Sequence, residues 1–273
     1  MSQLADHHSP DKRIVLGLEY DGSGYSGWQK QLATPKSTIQ QRLEQALSKI
    51  EDHTVSSTCA GRTDAGVHAT CQVIHFDCSI DRGAKAWVQG TNSLLPPTIR
   101  VLWARTAVAD FHARFSATAR RYFYIIAQRD IAPAILSKRV THVREKLNVA
   151  AMHEAAQHLL GEKDFTSFRA AGCQSKTANR NVMGAQVTLR SGFIVLDIEA
   201  NAFLQHMVRN IMGTLLEVGA GAREPEWVIE LLAKQDRCEA AATAPADGLY
   251  LMGVSYPKKF ALPSTTALPP FVV

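Results

Sequence analysis

RIVLGLEY, residues 13–20, places Ile14, Leu16, Leu18 and Tyr20 at alternate positions. This spacing has the two-residue period of a β-strand with one buried face. A Gly-rich loop, DGSGYSGWQKQ, follows directly. We therefore predict that the chain opens with a strand and a tight loop that lead into a sheet.

The elements that follow give the first part of the chain the order β-α-β-β-α-β. A capping box in TIQQ, residues 38–41, predicts the start of a helix. Two strands, a short helix and a third strand are predicted near residues 54–60, 67–77, 83–93 and 99–105. A second series of the same order begins at residue 121. Its elements are predicted near residues 121–127, 147–160, 182–190, 193–200, 203–218, 225 and 248–256.

The repeated order predicts an α+β fold built from two ferredoxin-like halves. The N-terminal half, residues 13–110, would carry the reactive group, and residues 111–260 would form the C-terminal half. Their sheets would join into one continuous, mainly antiparallel central sheet, with helices packed on it and an active-site groove between the halves. Residues 1–12 are predicted to be a disordered leader, and residues 261–273 a Pro-rich irregular tail.

Composition and charge bound the class of protein. The 273 residues are 46% hydrophobic, which is enough for a sizeable core. The formal net charge is +5 and the sequence pI is about 9.0, which suits a polyanionic partner without requiring one. No apolar run reaches the roughly 18 residues of a membrane span, and the first residues lack the apolar core of a signal peptide. We expect a cytoplasmic protein with no membrane partner.

The five cysteines raise the question of a metal site. Their odd number and the absence of a CxxC pair disfavour a disulfide framework or a zinc ribbon. Cys71, His75 and Cys78 are close in sequence, but in a strand Cys78 faces away from the other two. Buried or half-buried thiols are therefore favoured over a metal site.

GRTDAGVHA, residues 61–69, frames Asp64 with glycines and alanines, and Arg62 stands two positions earlier. The glycines permit a tight backbone and the close approach of a bulky substrate. A nearby cation favours the charged form of a carboxylate, which an apolar frame disfavours. The pattern indicates a carboxylate nucleophile, although an Asp in a Gly-rich turn is also typical of an ordinary loop.

Four segments occur together in this chain, in the order GSGYSGWQ, GRTDAGVHA, RRYFY and NAFLQHMVRNIMG. Together they closely resemble the tRNA pseudouridine synthase A family, over nearly the whole chain from about residue 13 to 256. The resemblance implies that Asp64 is the nucleophile of an isomerase that converts uridine to pseudouridine at positions 38, 39 and 40 of the tRNA anticodon stem-loop. It also implies tRNA as partner, a homodimer, no cofactor and no metal.

Three further residues are candidates for substrate binding. The resemblance implies that Tyr122 packs against the target uracil, which must leave its stack to reach Asp64; by itself a tyrosine in a strand is more typical of a core. Arg209 shares a helix face with His206, and the family pattern pairs this arginine with the nucleophile. Arg62 is expected to contact phosphate or the flipped nucleotide.

Other interpretations stay open from the residues alone. Tyr25, Trp28 and Gln29 of the first loop are possible RNA contacts, with packing an equal alternative for Trp28. A non-catalytic RNA-binding protein fits ferredoxin-like sheets, but it leaves Asp64 unexplained because a carboxylate repels phosphate. A phosphotransferase would need an acidic metal cluster and a retaining glycosidase a second carboxylate, and nothing in the sequence marks either. Mapping pseudouridine in tRNA distinguishes these classes.

Overall fold

The computed structural model describes residues 12–31, 36–79, 82–263 and 268–272. Its strands are β1 (Lys12–Tyr20), β2 (Thr58–Cys59), β3 (His68–Cys78), β4 (Ile99–Ala107), β5 (Ala119–Gln128), β6 (Thr141–Val143), β7 (Gly161–Asp164), β8 (Asn179–Arg190), β9 (Phe193–Ala200) and β10 (Leu249–Ser255). Its α-helices are α1 (Ile39–Glu51), α2 (Gly83–Lys85), α3 (Thr91–Leu94), α4 (Val149–Gln157), α5 (Met207–Gly219) and α6 (Trp227–Lys234). A π-helical turn, Ala86–Gly90, joins α2 to α3.

All of these strands belong to one sheet in the order β4-β1-β3-β10-β5-β9-β8-β7, with β2 paired to β3 and β6 paired to β5. The order β4-β1-β3 with β2 outside is that of one ferredoxin-like half, and β10-β5-β9-β8 is that of the other. Only the β3–β10 and β5–β6 pairs of the described strands are parallel. The predicted α+β fold with a continuous, mainly antiparallel sheet is confirmed, and β6 and β7 are additions that the sequence patterns did not indicate.

The two halves join along β3. A strand was expected over residues 54–60, but β2 covers only Thr58–Cys59 and pairs with His75 and Ile74 in the middle of β3. The start of β3, at His68 and Ala69, pairs with β10. The β3–β10 pairing therefore makes the sheet continuous across the two halves.

Alternating side chains of the sheet enter different cores. In β1, Ile14, Leu16 and Leu18 pack in the large core that contains the apolar residues of α1, α4, α5 and α6, whereas Val15 packs on the opposite face. The predicted start of α1 is confirmed, because the Thr38 hydroxyl accepts a hydrogen bond from the Gln41 backbone N–H. The two-residue period of the sequence therefore separates the two faces of the sheet.

The C-terminal residues cover part of the face opposite the helices. Val272 is fully buried there, and the Phe271 ring lies 5.7 Å from that of Phe193 and 6.3 Å from that of Tyr250. Residues 264–267 and 273 of the predicted tail lie outside the described residues. The predicted leader also lies outside them, except that residue 12 begins β1. No helix in the described ranges is long and apolar enough to cross a membrane.

Candidate active site

Asp64 lies on the loop between β2 and β3, and its side chain is 30% exposed. Buried polar side chains of β1 and β3 hold this loop in place through hydrogen bonds. The Tyr20 hydroxyl and Thr63 Oγ1 are 2.8 Å apart, and Gln72 Nε2 donates to the Gly61 carbonyl at 2.6 Å. The carboxylate is therefore presented to solvent from a backbone that the sheet holds in place.

The Gly-rich loop after β1 supports the Asp64 loop by direct backbone contact. Trp28 N–H donates to the Thr63 carbonyl at 2.9 Å. Gly27 has φ +87°, and a Cβ at this position would lie 2.9 Å from the Thr63 oxygen. Both the left-handed backbone and the lack of space require glycine here.

The aromatic residues of that loop are packing residues. Trp28 is 1% exposed, with its ring 5.9 Å from the Tyr20 ring. Tyr25 is also buried, and its hydroxyl lies 2.6 Å from Thr98 Oγ1. For Trp28 the packing alternative is therefore favoured, and a contact of Tyr25 or the half-buried Gln29 with RNA stays a prediction.

An arginine and a histidine of the C-terminal half contact Asp64. Arg209 Nη1 and His206 Nε2 each lie 3.5 Å from Asp64 Oδ2. The predicted grouping of His206 and Arg209 is confirmed, but α5 begins at Met207 and not near residue 203. The reason is that His206 has φ +61°, a left-handed conformation that ends the helix on its N-terminal side.

Arg209 is held in position by the segment that precedes β10. Its Nε donates to the Ala244 carbonyl at 2.8 Å, and Ala244 N–H donates to the Arg209 carbonyl at 3.1 Å. One turn further along α5, a Cβ at Gly213 would lie 2.0 Å from the Ala242 oxygen. Because residue 213 is glycine, α5 can approach this segment closely enough for Arg209 to form both hydrogen bonds with Ala244.

The local sequence suggested Arg62 as the cation beside Asp64, but Arg62 does not take this place. Its side chain is exposed, and the ion pairs of Asp64 within the described residues come from Arg209 and His206. The cation beside the carboxylate is therefore supplied by the other half of the chain and not by the neighbouring arginine. Arg62 is left free to contact a ligand.

Tyr122 lies on β5 beside the Asp64 loop and is 8% exposed. Its ring makes an edge contact with Phe203, with centroids 5.0 Å apart. Its hydroxyl lies 3.6 Å from the position of a Cβ on Gly61 and forms no hydrogen bond to another described residue. Burial raises the pKa of the phenol, and the charge of Asp64 adds to the rise, whereas Arg120 opposes it. The phenol is consequently a neutral hydrogen-bond donor.

Arg120 links the Asp64 loop to its surroundings, and the sequence patterns did not single it out. It is 8% exposed, and its Nε and Nη2 donate to the Ala60 carbonyl at 3.3 and 3.0 Å. Nη1 also donates to the Asn201 carbonyl at 2.9 Å. The available signal was its place two residues before Tyr122, on the same face of β5. Phe203 was likewise missed, although it lies inside one of the recognised segments.

The cysteine-containing strand has the geometry expected for packing. Cys71 belongs to the core on one face of the sheet and Cys78 to the core on the other. His75 Nδ1 accepts a hydrogen bond from the Ala113 N–H at 3.1 Å. Among the described residues, no group of three or more histidine, cysteine or acidic side chains is placed to hold a metal ion.

Known proteins match this sequence over most of the chain. The family described as tRNA pseudouridine synthase matches residues 18–116 and 155–257. Proteins named tRNA pseudouridine synthase A from Salmonella paratyphi B, Salmonella newport and Salmonella heidelberg are each 54% identical over 264 residues, which is 97% of this chain and 97% of each relative. A crystal structure of a Cbf5-Nop10-Gar1 complex aligns over 87% of this chain and 57% of that chain at 9% identity, but its TM-score of 0.32 is too low to carry weight.

The sheet, the carboxylate between the halves and these matches define a pseudouridine synthase, a class of isomerase. Within this class, the chain belongs to the tRNA pseudouridine synthase A family.

Proposed function

We propose that this protein isomerises uridine to pseudouridine at positions 38, 39 and 40 of the tRNA anticodon stem-loop, with Asp64 as the nucleophile. The observation that carries the proposal is the placement of Asp64. It is a partly exposed carboxylate on a rigid loop, 3.5 Å from the Arg209 guanidinium and from the His206 imidazole, and beside a buried tyrosine ring. A non-catalytic RNA-binding surface has no use for a carboxylate in this position.

The reaction is a rearrangement with no net change in atoms. The C1′–N1 bond breaks, the uracil turns, and a C1′–C5 bond forms; C5 then loses its proton and N1 gains one. Asp64 can act by adding to uracil C6, by adding to C1′, or by assisting loss of the base. All three routes need an ionised carboxylate within reach of a base that has left its stack, and none of them calls for a cofactor.

Arg209 and His206 serve to hold Asp64 for this step. At 3.5 Å the Arg209 contact is an electrostatic one, longer than a strong charge-assisted hydrogen bond. It steadies the anion without tightly occupying both oxygens, so one oxygen can reach the substrate. Because Ala244 fixes the Nε end of Arg209, the position of the charge is set before the substrate arrives.

Tyr122 and Arg62 complete the substrate site. The Tyr122 ring offers a stacking surface for the flipped uracil, and Phe203 buttresses it from the side. The neutral Tyr122 hydroxyl can donate a hydrogen bond to a uracil carbonyl. The exposed Arg62, on the same loop as Asp64, is placed to contact the phosphate or the gap that the flipped nucleotide leaves.

The remaining proposals concern the whole protein. Its net charge of +5 favours a polyanion such as tRNA. A homodimer and a cytoplasmic location follow from the family resemblance, and sedimentation analysis of the purified protein tests the first of these.

Asp64→Asn tests the central assignment. The amide is nearly isosteric but cannot act as a nucleophile, so pseudouridine formation should be lost while the melting temperature and most of the tRNA affinity remain. Pseudouridine is mapped in an unmodified tRNA transcript, and binding is measured on the same transcript. Asp130→Asn, at an exposed position, serves as the control and should retain full activity. Activity of Asp64→Asn within tenfold of the wild type would contradict the assignment.

A further inference from the structure

An exposed aromatic side chain lies on the segment between β4 and β5. Phe115 is 77% exposed, but its ring packs against a neighbouring side chain. The His112 ring stacks on it with centroids 4.3 Å apart and planes 26° apart. His112 Nδ1 also accepts the backbone N–H groups of Arg114 and Phe115 at 3.2 and 3.1 Å. One imidazole therefore fixes both the ring and the backbone that carries it.

The turn that carries Phe115 is anchored to the sheet. Phe111 is fully buried beneath it. The backbone of Ala113 is held at both ends, since its N–H donates to His75 Nδ1 at 3.1 Å and its carbonyl accepts from the Tyr256 hydroxyl at 2.6 Å. The exposed ring is thus displayed on a preorganised base, as binding surfaces usually are.

The turn is also connected to the candidate active site. Arg120 Nη2 donates to the Arg114 carbonyl at 2.6 Å and to the carbonyl of Ala60, four residues before Asp64. Arg114 and Phe115 therefore belong to a turn that one buried side chain ties to the backbone leading into the Asp64 loop.

We propose that Phe115 and Arg114 form a stacking site for an unpaired nucleobase of the tRNA loop, next to the uridine that is isomerised. The proposal rests on the proposed function, because it concerns the same substrate. Aromatic rings bind single-stranded bases by stacking without reading their identity. The Arg114 guanidinium, 5.7 Å from the Phe115 centroid, adds a cation for the base face or the adjoining phosphate. Such a site would hold the loop while the target nucleotide is turned out.

RNA is favoured over a protein partner by the surroundings of the ring. Arginines at positions 62 and 114 give this part of the surface a positive charge, which suits a phosphate backbone. The platform is also tied by a single buried arginine to the loop that carries the nucleophile.

Variants of the full-length protein test the stacking site. Phe115→Ala should raise the Kd for a tRNA transcript about tenfold or more and lower kcat/KM with a smaller effect on kcat. Phe115→Trp keeps a stacking ring and should restore both. Leu189→Ala is the matched control, since Leu189 is an apolar residue on β8 that is 67% exposed, and it should leave both quantities unchanged.

The tRNA side of the contact is tested with transcripts that carry one abasic site at each unpaired loop position in turn. At one position, loss of the base should weaken wild-type binding as much as Phe115→Ala does and have no added effect on that variant. If no position shows this coupling, or if Phe115→Ala changes the oligomeric state and not the Kd for tRNA, the stacking site is refuted; the second result would assign the ring to a protein interface. Pseudouridine formation by the wild type reports separately on the proposed function.

Discussion

At the scale of single residues, the distances around Asp64 decide how the site can work. The Arg209 and His206 contacts are both made to Oδ2, at 3.5 Å, and no hydrogen bond within the described residues is made to Oδ1. A carboxylate that was tightly paired at both oxygens would have to give up those bonds before it reacted. The looser arrangement stabilises the charge of Asp64 and leaves one oxygen for the substrate.

Tyr122 is largely buried as a residue, and its hydroxyl bonds to no other described residue. A bound uracil would cover this hydroxyl, and a covered hydroxyl without a partner is unfavourable, so we expect it to bond to the uracil. Tyr122→Phe should therefore keep the stacking ring and the tRNA affinity but slow single-turnover isomerisation by about 10- to 100-fold. Tyr122→Ala should lose affinity as well. The measurements are Kd and single-turnover rates on one transcript.

Tyr124 provides the control for the Tyr122 variants. It lies two residues along β5, but its hydroxyl is already bonded to Thr141 and to the Pro245 carbonyl. Tyr124→Phe should reduce stability and leave the isomerisation rate nearly unchanged. A Tyr122→Phe enzyme as fast as the wild type would restrict Tyr122 to stacking, and a fully active Tyr122→Ala enzyme would remove it from the site.

The residues that could be predicted from sequence are those that local patterns mark. Asp64 lies in a Gly-rich motif, and helical spacing groups Arg209 with His206. The contact between Asp64 and Arg209 spans the two halves and came from the family pattern, not from spacing. Arg120 joins the backbone carbonyls of Ala60 and Asn201, which are distant in sequence, and no local pattern indicates such a contact.

At the scale of elements, α5 and β2 show why boundaries were harder to predict than order. The apolar period of α5 continues back to residue 204, but the left-handed backbone of His206 ends the helix before that point. Periodicity records which side chains are buried and not where the backbone changes direction. Strand β2 likewise covers only Thr58–Cys59 of the expected residues 54–60, because only these residues pair with β3.

Strand β3 contains a histidine that should make the fold sensitive to acid. Burial lowers the pKa of His75 to about 4 from 6.5, with smaller contributions from the charges of Arg13 and His112. Between about pH 6.5 and pH 4 the unfolded chain binds a proton that the folded protein does not, so stability falls as the pH falls. Protonation of Nδ1 would also abolish its bond with the Ala113 N–H. His75→Asn retains an acceptor that does not titrate.

We expect the free energy of unfolding of the wild type to decrease relative to that of His75→Asn by roughly 1–2 kcal/mol between pH 7 and pH 4.5. Urea unfolding of both proteins at several pH values measures this difference, and the contributions of shared groups cancel. Parallel pH profiles for the two proteins would show that His75 is not responsible. Because His75 also anchors the turn below Phe115, the same titration would loosen that turn.

At the scale of the whole molecule, the two halves are interdependent. Asp64, the proposed nucleophile, comes from the loop before β3, and its partners Arg209 and His206 come from the start of α5. The β3–β10 pairing sets the distance between them. Neither half alone contains the arrangement. The order of elements was enough to predict a continuous central sheet, because each half repeats a known motif. The order of elements did not predict which residues cover the face of the sheet opposite the helices.

Residues 268–272 cover part of that face, and they should stabilise the fold without taking part in catalysis. Val272 is fully buried and Phe271 packs on Phe193 and Tyr250, on the face opposite Tyr122. Replacing both Phe271 and Val272 by alanine removes apolar surface from this core. The free energy of unfolding should fall by roughly 2–4 kcal/mol.

Urea unfolding measures this loss, and Leu268→Ala is the control, because Leu268 is 41% exposed and should cost little. At a temperature where the double variant is fully folded, its rate of pseudouridine formation should equal that of the wild type, since the Asp64 loop is supported by β1, β3 and Arg120 and not by the C-terminal residues. A stability equal to that of the wild type would mean that the C-terminal residues do not seal this face in solution. A large loss of rate in the folded variant would instead connect the far face of the sheet to the active site.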